Sequence, residues 1–214
     1  MAASFIILIV ASYLLGSVPF GVLIAKAHGK DLRSIGSGNI GATNVSRALG
    51  KKWAYICFLL DCLKGLVPML AAKPLVSPLT VTTLSLWLTV GCAAILGHVF
   101  PVYIRFKGGK GMSTCMGVIL GLCPYYTLPG LIAFIVWIAC VLLWRYVSLA
   151  SIIAAVIFPV SLITAIFSLQ NWLLADLWPL IIVALALSAL VIVRHAENIK
   201  RLLEGSEHKV LQRK

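Results

Sequence analysis

The sequence predicts an all-α integral membrane protein with seven transmembrane helices, the N-terminus outside and the C-terminus cytoplasmic. Three observations point there. The 214 residues are 61% hydrophobic and only 11% charged, where soluble domains run at roughly 45–50% and about 25%. Apolar runs recur along the chain, most of them near the ~20 residues that a hydrocarbon core requires of a helix. The 18 Lys and Arg residues, set against 6 Asp and Glu, gather in alternate loops, as the positive-inside rule demands. A net charge of +12 would suggest nucleic acid in a soluble chain. Here no aromatic-studded basic region lies outside the apolar runs, so anionic lipid or an anionic substrate is the expected partner. One membrane-embedded domain over 1–214 is expected.

The first span runs from Ser4 to Ala25. Gly16, Ser17, Pro19 and Gly21 break its second half and permit close helix packing. Ala25-Lys26-Ala27 mimics a cleavage site, but the start carries no Lys or Arg and the apolar run is about 20 residues long, which fits a retained span. The second span, Trp53 to Ala72, contains Asp61 and Lys64, three residues apart and so on one helical face. A lone charge at mid-bilayer costs about 2.5–3.5 kcal/mol on insertion scales. Paired, the two serve either as a structural ion pair or in catalysis, and the structural role is the one assigned to them. The third span, Thr80 to Tyr103, brings Gly97, His98 and Pro101 near its cytoplasmic end, with His98 read as a satisfied core histidine.

A short or tilted fourth helix is expected over Met112 to Leu122, ahead of Pro124. The fifth span runs from Tyr126 to Trp144, followed by a tight inside turn over Arg145 to Ser151. The sixth runs from Ser151 to Leu169 and the seventh from Trp172 to Val193. From Arg194 the last helix is expected to continue into the cytoplasm, with Glu197 and Arg201 paired at i,i+4 and Lys209 to Lys214 anchoring the membrane surface. Cys57, Cys62, Cys92, Cys115, Cys123 and Cys140 all fall in apolar segments without a CxxC pair, so they read as small buried hydrophobes.

Three polar clusters interrupt this pattern, all on the predicted cytoplasmic side. The first, GSGNIGATNVSR over Gly36 to Arg47, packs three glycines, the hydroxyls of Ser37, Thr43 and Ser46, the carboxamides of Asn39 and Asn44 and one guanidinium into twelve positions without a carboxylate. Glycines let backbone N–H groups turn onto an anion, and arginine adds a planar, permanently charged fork. The second, RFKGGKGMST from Arg105, has the ingredients of a phosphate cradle: glycines, Lys107, Lys110 and the start of a helix with its first N–H groups available. It does not satisfy GxxxxGK[ST]. The third, RHAENIKR from Arg194, sets His195 and Asn198 at i,i+3, on one face toward one ligand.

The scarcity of acid narrows the chemistry. Phosphoryl transfer from nucleotides needs carboxylates to hold Mg²⁺, and no motif here carries a pair of them, which disfavours a metal-dependent alcohol phosphotransferase. The HxxxxD pattern of other glycerolipid acyltransferases is missing as well. A reaction between two anionic molecules without a metal fits better. In an acyl phosphate the phosphate is already a good leaving group, and attack by an alcohol creates an oxyanion that N–H groups, Lys or Arg stabilise. The same loops and cations would suit a membrane transporter of phosphate esters, but transport needs polar residues on both faces and broken helices meeting at mid-membrane, and the predicted outside loops are short and nearly bare.

GSGNIGATNVSRALG, FKGGKGMST and RHAENIKRLL resemble the three motifs of the bacterial acylphosphate:glycerol-3-phosphate acyltransferase family (PlsY), and LLDCLKG and RYVSLAS resemble its intervening segments. The likeness covers essentially the whole chain. It implies a seven-helix fold in the bacterial inner membrane, an active site on the cytoplasmic face, and transfer of an acyl group from acyl phosphate to glycerol 3-phosphate without acyl-CoA, cofactor or metal. It implies that Ser37, Thr43, Asn44 and Arg47 bind substrate phosphate. Gly108, Gly109 and Gly111 form the phosphate loop, with Lys110 neutralising charge. His195 and Asn198 act from the third motif, where Glu197 is structural. Gly38, Asn39, Lys107 and Ser148, in the matching stretches, complete the expected substrate-binding set. The expected partners are acyl phosphate, glycerol 3-phosphate, membrane lipid and the enzyme that supplies acyl phosphate, with no nucleic acid. Histidine has the right ordinary pKa, about 6.5, for proton transfer. A phosphate oxygen of a bound substrate is an equal candidate for base.

Overall fold

The computed structural model describes residues 2–210, and 211–214 of the expected basic anchor lie outside them. The described chain is all helical, without a strand. Six helical stretches, not seven, are long and apolar enough to cross a membrane: Ala2–Ala27, Lys51–Leu75, Val81–Ile104, Thr127–Trp144, Val147–Ser168 and Leu174–Arg194. The expected fourth span is only a ten-residue helix, Met112–Gly121. At 1.5 Å per residue it covers about 15 Å, half of a ~30 Å hydrocarbon core. The seven-span expectation is therefore corrected to six. The odd count that placed the two termini on opposite faces falls with it.

The chain forms two compact units that divide after Gly121. The first holds α1 (Ala2–Ser17), α2 (Phe20–Ala27), α3 (Ala42–Leu49), α4 (Lys51–Ala72), α5 (Val81–Val99) and α6 (Met112–Gly121). Pro19 separates α1 from α2 because it has no amide hydrogen to continue the ladder. Lys64 Nζ donates to the Val18 carbonyl at this break, at 3.0 Å, alongside the Phe20 N–H at 3.1 Å. Reciprocal glycines bring helices into main-chain contact. Gly16 lies on the backbone of Ala94 while Gly97 lies on that of Tyr13 and Ser17, which locks α1 to α5. Gly65 against Thr114 and Gly117 against Cys62 do the same for α4 and α6. Between membrane helices, where lipid is as apolar as leucine, such close approach is a main source of cohesion. The Trp87 indole N–H adds a bond to the Met69 carbonyl at 2.9 Å.

The second unit holds α7 (Thr127–Trp144), α8 (Val147–Ser168), α9 (Leu174–Arg194) and α10 (Ala196–Leu203). Tyr126 is fully buried, donates to the Leu180 carbonyl at 2.7 Å and meets Phe158 edge-on. Four expectations are corrected here. Arg145 takes a left-handed conformation (φ 63°), so α7 ends abruptly and α8 begins at Val147. Ser148 therefore lies in the first turn of a helix rather than in a loop. The last span does not continue into the tail: His195, at φ −102° and ψ 8°, breaks the helix before α10. Arg201 pairs with Glu207 at 2.7 Å, and not with Glu197, which is exposed. The six cysteines are all unpaired, but Cys123 is exposed, unlike the buried role expected of it.

Candidate active site

In the first unit, the opening cluster is a loop closed on its own carboxamide. Asp31 Oδ1 accepts from the Arg33 N–H at 2.9 Å and caps the single turn Leu32–Ser34. Gly36 and Gly38 then adopt φ of 56° and 66°, a left-handed conformation that side chains rarely hold. Asn44, buried, donates to the Leu32 and Ile35 carbonyls at 3.0 and 2.9 Å and accepts from the Ser37 N–H at 3.1 Å. Both of its amide protons and its carbonyl are thus engaged in shaping the loop. Asn39 Oδ1 accepts from the Gly41 N–H at 2.9 Å just ahead of α3. Beneath lie the buried Ala25, Leu32, Val45 and Cys57. On the outer side, Thr43 and Arg47 are exposed and Ser37 is half-buried.

The second cluster joins the first through Arg33, whose Nη2 donates to the Lys107 carbonyl at 2.7 Å. Arg105 and Phe106 are both left-handed, at φ 55° and 60°, and turn the chain back so that the Gly109 N–H reaches the His98 carbonyl at 3.1 Å. Gly109 is buried directly on the His98 imidazole, and a Cβ there would strike the ring. Gly111, at φ 84°, leads into α6. Lys107 is exposed and Lys110 half-buried.

Under this loop sits a buried polar cluster. Asp61 Oδ1 lies 2.8 Å from Lys64 Nζ and 3.7 Å from His98 Nδ1. The Cys57 thiol points at Asp61 Oδ2 at 3.6 Å, and the Thr114 hydroxyl donates to the Asp61 carbonyl at 3.0 Å. Asp61 and Lys64 thus sit behind the glycine loop, and His98 forms the layer between.

The third cluster belongs to the second unit. His195 is buried, with Nδ1 2.7 Å from the Val191 carbonyl. A carbonyl only accepts, so Nδ1 carries the proton and the neutral ring keeps its basic lone pair on Nε2. Asn198, also buried, follows in α10 with its N–H on the His195 carbonyl at 2.9 Å. Its side-chain Nδ2 donates to Glu207 Oε1 at 2.7 Å, and the Ser148 hydroxyl donates to that same oxygen at 2.8 Å. Arg201 Nε donates to Glu207 Oε2 at 2.7 Å. Burial pushes the Glu207 carboxyl upward, but the hydrogen bonds from Arg201, Ser148 and Asn198 outweigh it and hold the group below its ordinary value.

The structure thus gathers Ser37, Asn39, Thr43, Asn44 and Arg47 with Lys107 to Gly111 in one unit, and Ser148, His195 and Asn198 in the other. Glu207 is the residue that sequence reasoning missed. It sits in no motif, 59 positions from Ser148. The one signal available was Gly205, a helix-stopping glycine (φ 70°) that marks where the tail turns back.

The model of the glycerol-3-phosphate acyltransferase family matches residues 6–205, a stretch that includes every cluster above and stops short of Glu207. This chain belongs to the glycerol-3-phosphate acyltransferase family. The glycerol-3-phosphate acyltransferase of Geotalea daltonii is 45% identical over 204 residues, covering 95% of this chain and 96% of the relative. That of Aquifex aeolicus is 45% identical over 204 residues, covering 94% and 97%. Among solved structures, the glycerol 3-phosphate form of PlsY (YgiH), an integral membrane glycerol 3-phosphate acyltransferase, matches with a TM-score of 0.84 and 43% identity over 96% of this chain and 95% of that one. Its lysophosphatidic acid form matches at 0.81 and 42%, with the same coverage.

Proposed function

We propose that this multi-pass inner-membrane enzyme transfers a fatty acyl group from acyl phosphate to the sn-1 hydroxyl of glycerol 3-phosphate, the first step of bacterial phospholipid synthesis. The products are lysophosphatidic acid and inorganic phosphate. The observation that carries this is the likeness, over nearly the whole chain, to a solved membrane enzyme in both its glycerol 3-phosphate and its lysophosphatidic acid forms. The family model runs across the boundary between the two units, which supports treating 1–214 as one acyltransferase domain.

The glycerol oxygen attacks the acyl carbonyl carbon, the bond from that carbon to the phosphate oxygen breaks, and phosphate leaves with the electron pair. No acyl-enzyme forms. Arg47 and Lys110 neutralise phosphates that would otherwise repel each other, within the phosphate loop formed by Gly108, Gly109 and Gly111, whose shape the Gly109 N–H holds through its bond to the His98 carbonyl. Ser37, Gly38, Asn39, Thr43 and Lys107 line the same surface, and Asn44 holds it in shape. His195, with Nδ1 on the Val191 carbonyl, acts from the third motif together with Asn198, and Ser148 shares the Glu207 carboxylate with Asn198. The hydroxyl proton goes to His195 Nε2 or to a phosphate oxygen of a bound substrate. Holding the reactants together in this way removes several kcal/mol from the barrier. Asp61, Lys64 and Glu197 are structural. The Lys and Arg flanking each cluster favour the cytoplasmic face for the active site.

Purified protein assayed in parallel with acyl phosphate, acyl-CoA and acyl-carrier protein tests the donor. Turnover with acyl phosphate is expected, and turnover only with acyl-CoA would overturn the assignment. Chelation is expected to leave the rate unchanged, because the chemistry is carried by side-chain cations and backbone donors. Strict loss of activity in chelator would refute that.

A further inference from the structure

Arg33 lies outside both polar clusters of the first unit, yet it joins them. Its backbone is fixed from the first cluster. Asp31 Oδ1 takes the Arg33 N–H at 2.9 Å, and Leu32 is buried beside Ala25, Val45 and Cys57. Asn44 Nδ2 donates to the Leu32 carbonyl at 3.0 Å. The base of the Arg33 side chain therefore moves only if the first loop moves. The side chain is exposed and reaches a residue 74 positions away, where Nη2 donates to the Lys107 carbonyl at 2.7 Å. Among the described residues no carboxylate pairs with this guanidinium. Its bond is spent on a main-chain oxygen, which ties one segment of chain to another.

The loop it reaches has a different foundation. The Phe106 N–H bonds to the Pro101 carbonyl at 2.9 Å, and the Gly109 N–H to the His98 carbonyl at 3.1 Å. The second loop thus hangs from the end of α5, while the first is seated on α2 and α3. Arg33 crosses from one seat to the other. Its bond lands on the peptide that leads into the glycine stretch. A peptide unit is planar and trans, so holding the Lys107 oxygen fixes the plane of the whole 107–108 unit.

We propose that Arg33 is a positioning residue that sets the reach between the two loops. The inference rests on the reading above that both loops meet substrate phosphates. Acyl transfer needs the attacking oxygen and the acyl carbon at one separation, and a displacement on the order of 1 Å is costly. A tie between loops seated on different helices acts on that separation. It does not act on the affinity of either loop for its own phosphate. Arginine suits the task because its donors are permanently charged, and charged donors make the shorter, stronger hydrogen bonds.

The test uses the full-length protein in detergent or vesicles, with acyl phosphate and glycerol 3-phosphate as substrates. Arg33→Met is expected to lower kcat about tenfold with each KM changed less than about threefold, since spacing rather than binding is lost. Arg33→Lys can still donate to the Lys107 carbonyl and is expected within about threefold of the wild-type kcat. Lys30→Met removes an exposed cation from the same connection without touching the tie, and wild-type kinetics are expected. Gly109→Ala combined with Arg33→Met is expected to cost less than the product of the two single losses, because a loop already displaced has less spacing to lose. The proposal fails if Arg33→Met turns over like wild type, or if Lys30→Met matches it, which would reduce the effect to charge. It fails equally if the Met and Lys variants at position 33 lose kcat alike in proportion to a lowered Tm, or if the losses of the double variant multiply in full. If Arg47→Gln and Lys110→Gln both keep the wild-type kcat and KM, it is the underlying substrate reading that fails, whatever Arg33 does.

Discussion

The glycine loops of the first unit and the His195–Asn198 cluster of the second both hold polar groups in fixed directions, and they do so by different means. The first is built from backbone. Its donors are main-chain amides, its shape depends on positions where a Cβ does not fit, and the buried layer of His98, Asp61 and Lys64 props it from below. The second is built from side chains, and their directions are set by hydrogen bonds to other groups: the Val191 carbonyl for His195, the Glu207 carboxylate for Ser148 and Asn198. A backbone site fails when something is added or its support is removed. A side-chain site fails when a partner is removed or titrated.

The largest effect is expected where the backbone loop is supported. Asp61→Asn or Lys64→Met leaves one charge of a buried pair unmatched, a cost of about 3–5 kcal/mol, visible as a large drop in thermal transition in detergent. The double variant is expected to be milder than either single change, and additive losses would mean the pair is not the unit of support. Next comes Gly109→Ala, whose methyl must displace the buried His98 ring. Turnover is expected to fall about 10²–10³-fold, because a loop pushed off the His98 ring no longer aims its polar groups at substrate. Gly41→Ala, where the new carbon would meet only Asn39 Oδ1 at 3.2 Å, is expected within about fivefold of wild type, and equal damage at both glycines would erase the distinction drawn between them.

The side-chain half gives smaller, pH-dependent signatures. His195→Gln is expected to lower kcat about 100-fold. Loss of the limb along which the rate rises with pH would assign the proton to His195 Nε2, and its persistence would assign it to a substrate phosphate. The smallest effect concerns Glu207. Its carboxyl is held below its ordinary 4.5, so its contribution is fully present above that value and is lost as pH falls through the depressed folded value. The Tm difference between wild type and Glu207→Gln is expected to be flat above the ordinary glutamate range and to shrink below it. A difference that grows on acidification would contradict the charge state assigned here.

Much of this molecule was legible in its residues. The apolar runs gave the spans to within a few positions, Pro19 marked the α1–α2 break, and the three motifs carried the family. Misreadings came where local pattern and tertiary context part. Met112–Leu122 is apolar enough for a span, yet a helix of ten residues is too short to be one. Ser148 looked like a turn residue because Arg145 and Tyr146 interrupt the apolar run, while the left-handed Arg145 needs only two residues to start the next helix. His195 looked helical by spacing, yet it closes one helix and opens another.

The sequence by itself determined that the chain lives in a membrane, that its cations gather in a few loops, and which family its motifs belong to. Those properties belong to composition and to short-range spacing, and no fold is needed to express them. Only the tertiary structure decided which partners each polar group finds: Lys64 on the Val18 carbonyl at the Pro19 break, His98 beneath Gly109, and Glu207 on Ser148, Asn198 and Arg201. A hydrogen bond is made within about 3 Å, and only folding brings groups tens of positions apart within that reach.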